Sequence, residues 1–136
     1  MVTPKQSSQV IHIFLWIIQI VLAVSFVWAA WMKLFQPIDK LSAMWPWTGQ
    51  IPAILVKSTG IIDVLSALGL ILPAWLRIRP ILTPIAASGI IVLMLCASIF
   101  HVIRGEASVI GVNIVFASLA AFIAWGRFKK APITPA

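Results

Sequence analysis

Charge is scarce in this sequence. Asp, Glu, Lys and Arg make up 10% of its 136 residues, against about 25% in an ordinary soluble domain. So little charge cannot cover a water-facing surface, which excludes a soluble globular protein and points to one membrane domain over residues 1–136. Cysteine is reduced to Cys96, ruling out an internal disulfide and any Cys-x-x-Cys redox pair. The two histidines, His12 and His101, fall near opposite faces of the membrane in the layout below, so they cannot ligate one centre together. One His, one mid-helix Cys and distant carboxylates make no metal set, so neither metal nor haem is expected. The chain also lacks a Gly-rich phosphate loop and a nucleophile elbow.

Apolar residues are abundant, at 62% with a mean hydropathy of +1.09. The net charge of +7 would suit nucleic acid if it were clustered. Instead the basic residues sit at the ends of apolar runs, as they do in membrane proteins. The lipid bilayer is therefore the expected partner, and nucleic acid is not.

Four apolar runs predict helices over residues 11–34, 53–76, 80–103 and 107–127, forming an all-α, up-down-up-down transmembrane bundle. The first run is too long for a signal-peptide core and should remain as a span. Lys33, near its end, reads as an anchor reaching toward the interface. Residues 36–52 form the long loop between the first two spans. Their three prolines forbid a continuous helix. Ile38, Leu41 and Trp45 are spaced for a short amphipathic turn, and Trp45 and Trp47 suit the headgroup level. Pro73, followed by Arg77, Arg79 and Pro80, should end the second span sharply. Glu106, Asn113, Ala117, Ala120, Ala124 and Arg127 share one stripe of small and polar residues on the fourth, a mark of a helix-facing surface in membranes.

An even number of spans puts both ends of the chain on one side. Lys5, Arg77, Arg79, Arg127, Lys129 and Lys130 lie there, against Lys33, Lys40, Lys57 and Arg104 opposite. This imbalance predicts cytoplasmic termini.

Asp63 is the residue that most needs explaining. It lies ten residues into its helix, about 15 Å deep, near the midplane of a hydrocarbon core roughly 30 Å thick. A carboxylate there costs on the order of 3 kcal/mol and marks a functional-site candidate that faces the bundle interior. Lys33, Trp47, His101, Arg104, Glu106 and Asn113 all fall in the same outer half. A funnel that opens outward and ends at Asp63 would unite them. Asp63 and His101 are the candidate proton-handling groups, and Lys33, Trp47, Arg104, Glu106 and Asn113 the candidate ligand contacts. Arg104 and Glu106 should pair across their own turn.

The order Trp31-Met32-Lys33-Leu34-Phe35-Gln36-Pro37, Met44-Trp45-Pro46-Trp47, Gly60 to Pro73 with Asp63, Pro84-Ile85-Ala86-Ala87, His101-Val102-Ile103-Arg104-Gly105-Glu106, Asn113 and Gly126-Arg127 resembles the DoxX-like family of small four-helix membrane proteins. As that family is known, many relatives carry Glu where Asp63 stands. The resemblance implies a bacterial inner-membrane protein. It also places the chain near subunits associated with thiosulfate:quinone oxidoreduction and with membrane complexes that cope with oxidative stress.

The leading expectation is then a protein that binds a small amphipathic molecule, a quinone by preference, in an outward-facing pocket within the bundle, as an accessory to a redox process. Two alternatives stay open: an enzyme doing acid–base, isomerase-type chemistry on a lipid-soluble substrate with Asp63 and His101, and a structural scaffold subunit. A second copy of the chain or a redox complex is the open choice of protein partner.

Overall fold

The computed structural model describes residues 4–136, with side chains from Ser8 onward, so the Lys5 side chain lies outside the described residues. Among the described residues there are five α-helices: α1 (Pro4–Phe35), α2 (Ile38–Met44), α3 (Ala53–Leu76), α4 (Leu82–Ile103) and α5 (Gly111–Trp125). Four segments are long and apolar enough to cross a membrane, namely Ser8–Phe35, Ala53–Leu76, Leu82–Ile103 and Ala107–Lys130. The chain is an all-α membrane protein of four spans.

The boundaries differ from the sequence reading where the ends are polar. α1 starts at Pro4, about two turns before residue 11, because nothing in residues 5–10 breaks a helix and proline suits a first turn. α4 starts at Leu82 because residues 77–81 form a turn in which Arg77 (φ 57°) and Arg79 (φ 46°) are left-handed. The last span is composite: a 3₁₀ turn at Ala107–Val109, then α5, then a wider π turn at Gly126–Lys130.

Pro73 lies inside its helix, which ends at Leu76, the bound read from the sequence. Proline has no N–H for the carbonyl four residues back and clashes with it. The Gly69 carbonyl therefore needs another donor in a lipid environment. Thr83 of α4 supplies it, with its hydroxyl 3.0 Å away. One bond both repairs the proline defect and ties α3 to α4.

The spans form a ring in which α1 packs on α3 and α5, and α4 packs on the same two. Its centre is filled by Leu22, Phe26, Leu70, Ile90, Met94 and Ile123. Outward-facing residues such as Ile13, Val24, Leu65 and Ile99 are exposed and apolar, as lipid contact requires. Small residues set the close approaches. A Cβ on Gly60 would lie 3.0 Å from Leu34 and 3.1 Å from Lys33, tighter than an ordinary contact, so the glycine favours the close approach of α3 to α1 there. A Cβ on Gly126 would lie 2.6 Å from Leu15, which similarly draws the end of the last span against α1. Residues 36–52 fold back onto the bundle: α2 buries Leu41 against Met32 and Val56, with Trp45 and Trp47 around them.

Candidate functional site

The end of the bundle carrying residues 36–52 and the 104–106 turn holds a connected polar network. Asp63 is 3% exposed, and its Oδ2 accepts a hydrogen bond from Lys33 Nζ at 2.8 Å. Lys33 therefore turns inward, correcting its reading as an interfacial anchor. Its physical reason is the Gly60 contact, which brings the Lys33 backbone against α3 one turn from Asp63. A half-buried lysine and a buried carboxylate each relieve the other's desolvation.

Above the pair sits Trp47. Its ring centroid is 5.8 Å from Lys33 Nζ, 6.4 Å from the His101 ring and 6.1 Å from Phe100. The 3₁₀ turn Pro46–Gly49 that carries Trp47 is held by Thr48, buried, whose hydroxyl donates to the Trp45 carbonyl. His101 Nδ1 lies 2.9 Å from Glu106 Oε2. A carboxylate can only accept, so this nitrogen carries the proton. Arg104 donates to Glu106 Oε1 from Nη2 at 3.0 Å and from Nε at 3.3 Å, and its Nη2 also donates to Gln50 of the long loop. Hydrogen bonds from Arg104 first, then His101, hold the Glu106 carboxyl below the usual glutamate range.

Six of the seven sequence-derived candidates thus form one chain of contacts: Asp63, Lys33, Trp47, His101, Glu106 and Arg104. Asn113 stands apart. It lines a groove of about 270 Å³ between α4 and α5, with Met94, Leu95, Ser98, Ile114, Ala117, Ser118 and Ala121. Its Nδ2 is buried with no hydrogen-bond acceptor, while the Ser98 and Ser118 hydroxyls are occupied by carbonyls of their own helices. A buried amide donor without a partner is costly, and a carbonyl oxygen is the group that would satisfy it.

Sequence reasoning missed the opposite end. Arg127 is 3% exposed. Its Nε donates to Gln19 Oε1 at 2.7 Å, and its Nη1 donates to the Ala131 carbonyl at 2.9 Å and reaches His12 Nδ1 at 2.8 Å. Arginine has no acceptor, so His12 Nδ1 is the unprotonated nitrogen. Gln19, fully buried, in turn donates to the Leu70 carbonyl of α3 at 2.7 Å. The signal was present: Arg127 lies on the same helix-facing stripe as Asn113 and Ala120.

The ring of four apolar spans, with ionic groups turned inward at both ends, defines a multi-pass membrane protein built around an internal polar network. The model of the DoxX-like family matches residues 17–123, so the chain belongs to the DoxX-like family. No curated protein and no solved structure matches it.

Proposed function

We propose that this DoxX-like protein binds a small amphipathic carbonyl compound, quinone-like in chemistry, as an accessory to a redox process in a bacterial inner membrane. The observation that carries the reading is the orphaned donor of Asn113 in an apolar groove. With the Asn113 amide turned toward the groove, a ring carbonyl would accept from Nδ2, and the apolar body would lie along Met94, Leu95, Ala117 and Ala121, open to lipid. This moves the site from the bundle centre beside Asp63 to the α4–α5 groove. His101 lies one turn beyond Ser98 on α4, about 4.5 Å further along the axis. The His101–Glu106 pair would supply the proton-handling group nearest the carbonyl end.

Asp63 takes a different role in this reading. Paired with Lys33 and covered by Trp47, it lines neither the groove nor the cavity at the opposite end. That closure favours a second reading, a scaffold subunit whose ion pair fixes helix packing. The test is quinone recovered by extraction of the purified protein. Asn113→Leu keeps the branched side-chain shape and removes the donor. Recovery should fall about tenfold, the usual worth of one buried polar contact, while Asp63→Asn should retain it. Equal quinone in the wild type and Asn113→Leu would leave only the scaffold.

A further inference from the structure

The terminal end of the bundle carries a buried cation, Arg127, that makes no salt bridge among the described residues. The three acids of the chain, Asp39, Asp63 and Glu106, all belong to the loop end. Every partner of Arg127 is neutral: Gln19, His12 in its Nε2-protonated form, the Ala131 carbonyl and the face of Trp16 at 5.6 Å. Its Nη2 is buried with no acceptor among the described residues. A buried charge in or near lipid is normally paired.

Beside Arg127 lies a cavity of about 320 Å³, walled also by Arg79, Pro80 and Ile81 of the α3–α4 turn and by Pro132, Ile133 and Pro135 of the C-terminal tail. A strap holds the tail over it. Arg77 Nε donates to the Thr134 carbonyl at 2.7 Å, and the Ala136 N–H donates to the Arg77 carbonyl at 3.0 Å. Arg79, on the cavity wall, is in the left-handed region at φ 46°.

We infer that this cavity binds an anionic phosphoryl group between Arg79 and Arg127. The group supplies a counter-charge that no acidic side chain at this end provides, and an acceptor for Nη2. Nη2 has no solvent contact while the strap is closed, so seating the anion shifts residues 131–133 slightly outward. Two sources share this chemistry, the headgroup of an anionic phospholipid and a soluble phosphate. The site is separate from the Asn113 groove and does not depend on it.

The experiment is thermal unfolding of the delipidated full chain in neutral detergent, followed by tryptophan fluorescence during titration. Dioleoylphosphatidylglycerol should raise the Tm by about 5 °C, and dioleoylphosphatidylcholine should not. Arg79→Gln should move the titration midpoint about tenfold higher, as expected for loss of one charged contact. Lys129→Gln, an exposed charge off the cavity, should leave it unchanged. Inorganic phosphate reproducing the shift assigns the site to a solute, and a shift with the lipid alone assigns it to a headgroup. No shift with either anion, an equal shift with phosphatidylcholine, or equal effects of Arg79→Gln and Lys129→Gln would overturn the inference.

Discussion

Glu106 shows how one residue can fasten a whole end of the bundle. It accepts from Arg104 and His101, and Arg104 reaches on to Gln50, so the 104–106 turn, α4 and the long loop share one carboxylate. Its folded-state pKa is lowered, so the folded chain holds fewer protons on this group than the unfolded chain. The resulting stabilisation is fully present above the ordinary glutamate value of about 4.3. It is lost as pH falls through the lower folded value. We predict that the Tm difference between wild type and Glu106→Gln is constant from pH 7 to about 5 and shrinks below about 4.3. A difference unchanged down to pH 3 would mean that the carboxylate charge contributes nothing. The pairing itself was legible in the sequence, since His-x-x-Arg-Gly-Glu puts three complementary groups within one helix end and its turn. The link to Gln50 was not, because it joins residues 54 positions apart.

Between elements, the Lys33–Asp63 pair is the contact that fixes α1 against α3. Breaking one partner of a buried pair leaves an uncompensated charge, which costs roughly 3–5 kcal/mol, whereas replacing both by apolar groups is often nearly neutral. Lys33→Met and Asp63→Leu should each destabilise the bundle by about 3 kcal/mol. The double variant should be more stable than either single one. Reversible unfolding in mixed micelles measures this cycle, and additive losses would show that the two side chains act separately. The sequence placed Asp63 inside the bundle from its depth alone. It left Lys33 between an interfacial anchor and a member of the funnel, because a lysine near a span end is equally served by reaching water. What decides the matter is Gly60, whose missing Cβ permits the close approach, and a lone glycine in an apolar run does not announce its neighbour. The same limit applies to Pro73: the span's end at residue 76 was legible, but not the Thr83 hydroxyl across the interface that takes up the Gly69 carbonyl.

For the whole molecule, the four spans followed from run length and hydropathy, since in lipid a continuous apolar run of this length can satisfy its backbone only as a helix. The separation of the polar groups into two ends was only half visible. One end holds four basic residues and all three acids, with Asp63 paired to Lys33 and Glu106 to Arg104; the other holds six basic residues and no acidic side chain. Positive-inside bias would place the second end in the cytoplasm, beside a leaflet whose anionic lipids attract basic groups. The proposed anion cavity at Arg79 and Arg127 and the proposed orientation therefore draw on the same asymmetry, but orientation can be tested without any ligand. The lone Cys96 lies mid-span on α4 and faces outward, where a charged, membrane-impermeant maleimide cannot reach it. Cysteines introduced at the two ends then report on topology against a silent background. Asp39→Cys, on α2, should react in intact cells, and Ala136→Cys should react only after permeabilisation. The reverse pattern would put the basic end outside, and with it the anion cavity would face the leaflet poorer in anionic lipid, leaving a soluble phosphate as its ligand.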